Sequence, residues 1–316
     1  MTVSSRYVVV PCVRGDAASV YGVRTHYVEA GEGPPVILIH GGGVGGSGAM
    51  AWEAVLPLLA TRFRVIAIDL LWSGLTDKPS LPYSLRTQAD HLAGFIEALG
   101  LDSADSDSAD SDSAGPAGVS LVGQSIGAYI AARYTCDYPR RVRRLTLVGS
   151  NTVGLMMGAE VGAHAWTVEA LAAPVDEEAS VRAQLGTLLH DKTLITDERV
   201  AAYVALRRQP GVAEAKASMA PFVRALVTRD PDVWQESSLL HRLPEITVPI
   251  CMIWGKDDAF AEVAIGRQLR EMLPKASYHE VDHAGHHVFH DQPDQFCDIV
   301  GSFLADGTPS ERPDCR

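Results

Sequence analysis

Long apolar runs are missing from this sequence. No stretch approaches the ~20 residues that a membrane-spanning helix requires. The first residues, MTVSSRYVVVPCVRGD, lack both the extended apolar centre and the cleavage-like site of a secretory leader. A cytoplasmic location, away from any membrane, is therefore expected. Cysteine is sparse: Cys12, Cys136, Cys251, Cys297 and Cys315 are scattered and odd in number, with no C-x-x-C pair. That pattern argues against a disulfide framework and against a structural zinc site. Positive charge is also short, with 27 Lys and Arg against 39 Asp and Glu and a formal net charge of -12. Nucleic acid and anionic membrane surfaces are accordingly excluded as main partners. No G-K-[ST] follows the one glycine-rich stretch, HGGG, so a phosphate-binding loop is a poor reading of it.

What is present is the composition of a globular protein, 47% hydrophobic and 21% charged over 316 residues, enough for one large domain or two smaller ones. Residues 102–115, DSADSDSADSDSAG, carry five aspartates and nothing apolar larger than alanine. Such a segment cannot offset its ordering entropy, so a solvated, disordered insertion is expected, and a disordered tail over 307–316. Short β-branched runs recur at 36–39, 64–68, 119–122, 145–148 and 250–253, separated by helical periodicity such as that of Thr87–Leu99. Strand–helix alternation of this kind predicts a parallel sheet with helices on both faces. From about Asn151 to Leu243 the alternation stops in favour of Ala-, Leu- and Met-rich helical periodicity. The expected organisation is a first core part (1–150), a helical cap (151–243) and a second core part (244–306).

Ligands of open parallel sheets bind beyond the carboxyl ends of the strands. The stretch LVGQSIGA (Leu121–Ala128) places G-x-S-x-G between a strand and a helix on that rim. Ser125 is thus a candidate nucleophile, and the helix behind it offers free N–H groups and a positive dipole end. A serine hydroxyl needs a base. The segment DHAGHHVFH offers four histidines, of which His286, paired with Gly285 in a loop after a strand expected at 276–281, is the candidate. A rival reading, metal binding, would put His283, His286, His287 and His290 on one face of a helix. The acid that orients the imidazole is expected at Asp258, past the strand end in WGKDD, with Asp257 as an exposed or turn-capping neighbour. Backbone N–H groups of Gly42 and Ile126 would hold an oxyanion, the glycines of HGGG allowing close approach. The chain order is Ser…Asp…His.

With these four parts in place, the sequence resembles the α/β-hydrolase superfamily over nearly its whole length, and within it the meta-cleavage-product hydrolases. Those enzymes hydrolyse C–C bonds in dienoates from aromatic ring cleavage. The matching stretches are EAGEGPPVILIHGGGVGGSG, GQSIGA, LLHDKTLITDE, WGKDDAF and DHAGHHVFHDQPDQF. The resemblance implies an α/β-hydrolase fold with an inserted helical cap, no metal or organic cofactor, a small carbonyl or ester substrate, and a homodimer or larger homo-oligomer. It also implies that the triad histidine helps ketonise the dienol before the C–C bond breaks. Substrate contacts are expected at Gly41, Gly43, Gln124, Tyr203 and His287. Here the chain departs from the family. Gln124 stands for an asparagine before the nucleophile, His287 for a tryptophan, Ala202 or Tyr203 for a cap arginine, and Ala51 for an asparagine. Arg207 or Arg208, one helical turn on, could substitute for that arginine, but both are expected to face solvent. A carboxylesterase or lactonase, a haloperoxidase-like perhydrolase, and a small-ligand binding protein share these features. Dehalogenases and epoxide hydrolases use aspartate where Ser125 stands.

Overall fold

The computed structural model describes residues 2–15, 19–42, 46–101, 118–162 and 176–306. The expected acidic insertion (102–115), the expected tail (307–316) and Gly43 lie outside them. Among the described residues eight strands make one sheet: β1 (Ser4–Arg14), β2 (Ser19–Ala30), β3 (Pro35–Ile39), β4 (Arg64–Ile68), β5 (Val119–Gln124), β6 (Val142–Val148), β7 (Ile250–Gly255) and β8 (Ser277–Val281). Their order is β1-β2-β4-β3-β5-β6-β7-β8. The pairs from β4 through β3 to β8 are parallel, while β1–β2 and β2–β4 are antiparallel. The sheet is therefore mostly parallel, with an antiparallel ribbon at one edge that the pattern of apolar runs did not reveal.

The helices in chain order are α1 (Gly48–Ala51), α2 (Leu56–Leu59), α3 (Leu85–Ala98), α4 (Ile126–Asp137), α5 (Asn151–Met156), α6 (Glu177–Leu188), α7 (Asp197–Arg207), α8 (Val212–Val227), α9 (Pro231–Ser237), α10 (Val263–Met272), α11 (Val288–Asp291) and α12 (Pro293–Asp306). None is long and apolar enough to cross a membrane.

The central strands read as unbroken apolar runs because both of their faces are covered. Side chains alternate across a strand, so Ile37 and Ile39 join one core with Leu92 and Phe95 of α3 and Tyr129 of α4. Val36 and Leu38 join the other with Trp52, Leu56 of α2, and Phe296 and Val300 of α12. Local signals set the helix ends. Ser84 caps α3 by accepting the Thr87 N–H at 3.2 Å, and Gly100, at φ +66°, follows its end.

Between β6 and β7 the described chain is helical, α5 to α9, without a strand. Helices α6 and α7 bury their own small core of Val181, Leu185, Leu188, Val200, Tyr203 and Val204. They lie over the carboxyl ends of the strands and enclose a cavity there.

Candidate active site

Ser125 joins β5 to α4 with φ 56° and ψ -121°, a left-handed conformation that a non-glycine residue holds at a cost of about 1–3 kcal/mol. The surrounding structure holds it there. Ser125 N donates to Val148 O at 2.9 Å, and the Ser150 hydroxyl donates to Ser125 O at 2.6 Å. The flanking glycines are steric necessities: a Cβ on Gly123 would stand 2.3 Å from Gly127 O, and one on Gly127 would stand 2.3 Å from Ile39 O. Strand and helix thus pass too close for any side chain, and the serine is pushed out into the cavity. The N–H of Ile126 opens α4, where no preceding turn of helix engages it.

The loops after β7 and β8 bring Asp258 and His286 together. His286 Nδ1 lies 2.8 Å from Asp258 Oδ2, with both side chains fully or almost fully buried. Asp258 Oδ1 accepts the N–H groups of Phe260 (2.9 Å) and Ala261 (2.7 Å). An ionised carboxylate is an acceptor only, so with Asp258 ionised His286 Nδ1 carries the proton and Nε2 keeps its lone pair. His286 lines the cavity together with Ser125, and the Phe260 ring packs on it at 4.8 Å. The loop after β6 also comes close, since a Cβ on Gly149 would stand 3.1 Å from Asp258 Oδ2. Asp257 points elsewhere, to His190 Nδ1 at 3.0 Å on the exposed surface.

The HGGG loop lies against the turn around Ser125. A Cβ on Gly41 would meet Gln124 Oε1 at 2.2 Å and Ser125 Cβ at 3.1 Å, and one on Gly42 would approach Ile126 Cγ2 to 3.2 Å. His40 anchors the loop. Its Nε2 accepts the Leu70 N–H at 3.2 Å, so its proton sits on Nδ1, which donates to Gly41 O at 2.7 Å. Burial holds His40 below the usual histidine range despite Asp69 nearby, which keeps this neutral tautomer. Gln124 is buried and reaches His286 O at 3.5 Å, a prop for the His286 loop as well as part of the cavity wall.

The four histidines do not form one ligand set. The chain from Asp282 to His287 is turn and loop rather than helix, so 283, 286, 287 and 290 share no helical face. His286 is engaged by Asp258, and His283 is exposed. His290 is buried, and that burial, with Arg199 nearby, pushes it down to about 3. His287 does line the cavity beside His286, and burial, then His290 and His286, hold it well below the histidine range. It stacks on Phe289 at 5.3 Å, acting there as a flat, neutral wall.

The cavity holds about 670 Å³ between the strand ends and α6–α8. Its walls are mostly apolar, including Trp72, Leu188, Met219 and Phe222. Tyr203 lines it, its hydroxyl pushed up to about 12 by burial and so a donor at neutral pH. Ala51 lines it too.

The expectation that Arg207 and Arg208 both face solvent holds for Arg208 alone, which is exposed and paired with Glu177 at 2.7 Å. Arg207 turns into the cavity because it lies four residues after Tyr203, on the same helical face. Its Nη2 donates to Gln184 Oε1 at 2.6 Å, while its Nε is buried without a partner among the described residues. Burial lowers its pKa, opposed by Glu177. A second cation, Lys216, lines the same wall from α8 and was missed in the sequence. Burial, then Arg207, pushes it down to about 8 against the opposing pull of Glu177. The signal was there: Lys216 interrupts the apolar series Val212, Met219 and Val223 at helical spacing. Both cations face a largely apolar cavity, an arrangement that favours an anion arriving from outside.

The sequence pattern of the alpha/beta hydrolase family matches residues 36–299. The chain is 30% identical over 294 residues to the 2-hydroxy-6-oxo-2,4-heptadienoate hydrolase of Pseudomonas putida, covering 90% of this chain and 94% of that protein. It is 29% identical to the 2-hydroxymuconate semialdehyde hydrolase of Pseudomonas sp. strain CF600, covering 90% and 92%. The solved structure of the meta-cleavage product hydrolase CumD of Pseudomonas fluorescens IP01 matches with a TM-score of 0.70 at 25% identity, over 96% of this chain and 98% of that one.

Proposed function

Since the chain belongs to the alpha/beta hydrolase family and is a hydrolase, we propose that it works through Ser125, His286 and Asp258. We further propose that its substrate is a carboxylate-bearing, dienoate-like ketone cleaved at the C–C bond beside the carbonyl. The observation that carries the reading is the buried Asp258–His286 hydrogen bond of 2.8 Å, with His286 and Ser125 lining one cavity. His286 Nε2 takes the Ser125 proton as Oγ adds to the carbonyl carbon. The oxyanion that forms accepts the N–H groups of Gly42 and Ile126, each worth about 3 kcal/mol of transition-state stabilisation. Asp258 holds the imidazole in one tautomer and balances its charge. With the dienol first ketonised, collapse of the adduct breaks the C–C bond; its electron pair is delocalised into the keto acid as a dienolate, which takes the proton held by the His286 imidazolium. Water, activated by His286, then releases the acyl group from Ser125 as a carboxylic acid.

The substrate class is supported by the names of the relatives and by the two cations, Lys216 and Arg207, on the cavity wall. Among the described residues Glu177 acts on both, and it is itself paired with Arg208 at 2.7 Å. Lys216 and Arg207 offer a carboxylate what the family's cap arginine would have offered from the position of Ala202 or Tyr203.

Two measurements test this. Ser125→Ala should abolish turnover and labelling by a fluorophosphonate probe while the protein stays folded; full retained activity would refute the triad. A spectrophotometric comparison of ring-cleavage dienoates with aryl esters tests the substrate. Ester turnover without dienoate bleaching would make the chain a carboxylesterase or lactonase with the same machinery.

A further inference from the structure

The histidines that the reaction leaves unused point to a second site. We infer that His190, Asp257 and His283 form a surface site for a divalent transition-metal ion, with zinc as its natural occupant. Each offers one ligand atom, and these atoms all lie within 4.8 Å of one another. His190 Nδ1 and Asp257 Oδ2 are 3.0 Å apart, and the His190 and His283 rings lie 5.6 Å apart between centroids. Two ligands bound about 2.0–2.1 Å from one tetrahedral zinc are themselves about 3.3 Å apart. The first pair is therefore nearly at coordination spacing, and a rotamer adjustment of exposed His283 completes the set.

The donors are right for this class of ion. Two imidazoles and one carboxylate suit zinc, and neighbouring borderline ions, rather than calcium or magnesium, which demand more oxygen ligands. Three protein ligands leave a fourth position for water. On binding, His190 gives the metal its Nδ1 lone pair and carries its ring proton on Nε2.

The ligands come from three segments that the fold already fixes. His190 follows α6, and its N–H and that of Asp191 both donate to the Asp291 carboxylate. The same carboxylate takes the Gly285 N–H at 2.8 Å, and Asp257 N donates to Ala284 O at 3.0 Å. Little backbone order is left to impose on binding, which favours affinity. Neither nearby ammonium competes for Asp257. Lys256 pairs with Asp282 at 2.7 Å, and Lys192 turns back to Gly186 O and Leu189 O. A His190–Asp257 hydrogen bond alone would account for two of the residues. It does not account for His283, whose ring lies 5.6 Å from that of His190 between centroids.

An ion here would tie the start of the α6–α7 connection to the loops that carry Asp258 and His286. It lies outside the cavity, so its consequence is stability rather than chemistry. The test uses the untagged full chain, stripped with chelator and titrated with zinc by calorimetry and with Co²⁺ by visible absorption. One ion per chain is expected, with a rise in melting temperature of roughly 5 °C at a hundredfold excess over the dissociation constant. His190→Ala, Asp257→Asn and His283→Ala should each weaken binding by at least roughly tenfold, what loss of even an outer-shell partner costs. Because all three side chains are exposed, the variants should melt like the metal-free parent. Absence of stoichiometric binding, or unchanged binding in the His190→Ala/His283→Ala double variant, would overturn the site.

Discussion

Replacing Asp258 by asparagine tests the tautomer argument with almost no change of shape. The result follows from hydrogen bonds already in place. Asp258 Oδ1 accepts two backbone N–H groups, from Phe260 and Ala261, at 2.9 and 2.7 Å. An asparagine amide must turn its oxygen to those donors, because its NH₂ there would face two N–H groups. The NH₂ is then directed at His286 Nδ1, 2.8 Å away, which must accept rather than donate. His286 is driven to the tautomer protonated at Nε2 and has no lone pair left for the Ser125 proton. In serine hydrolases built this way the swap costs about four powers of ten in kcat, or roughly 5 kcal/mol of transition-state stabilisation. The Asp258→Asn variant should therefore lose about 10⁴ in kcat, with KM and melting temperature little changed. Steady-state kinetics on a chromogenic substrate, with a thermal melt alongside, would measure it. A loss below about tenfold would mean that the tautomer of His286 does not limit the reaction.

Three further outcomes can be checked. Lys216 titrates near 8 in the free protein, because burial disfavours its charge. Its ammonium is present below that pH and lost as pH rises through it, so kcat/KM for a carboxylate substrate should fall on the alkaline side of about 8. Lys216→Met should remove that limb and lower kcat/KM throughout; an unaltered pH profile would exclude Lys216 from substrate binding. Gly127→Ala drives a Cβ to within 2.3 Å of Ile39 O, a backbone clash that should destabilise the fold by roughly 2–4 kcal/mol; an unchanged denaturation midpoint would contradict the close strand–helix approach. Ser84→Ala removes the cap of α3 and should cost about 1 kcal/mol, read as a drop of a few degrees in melting temperature.

The sequence disclosed most where burial or steric crowding leaves little choice. A strand covered on both faces has to read as an apolar run, so β3, β4, β5, β6 and β7 stood out. Ser125, Asp258 and His286 each follow a strand directly, which made their shared rim deducible before any distance was known. The antiparallel ribbon β1–β2 was not visible because most of β1 is exposed, Val9 at 56% among others, so the strand carries no clean apolar alternation. Arg207 was misjudged because helical periodicity gives a face but not what the face meets. Only the packing of α6 and α8 around it makes that face a cavity wall. The cluster of His190, Asp257 and His283 spans 94 positions of chain and leaves no local pattern to read.

The excursion of the chain between β6 and β7 divides the reacting groups in time as well as in space. A growing polypeptide emerges with Ser125 and the backbone donors of Gly42 and Ile126 already made, on or next to β3, β5 and α4. Carboxylate and imidazole follow only after the whole roof has been synthesised. Until those last segments dock, the alcohol is displayed without anything to take its proton. A chain made only as far as the roof should therefore be chemically inert, and the reactive centre should switch on only once Asp258 and His286 have been added and have docked.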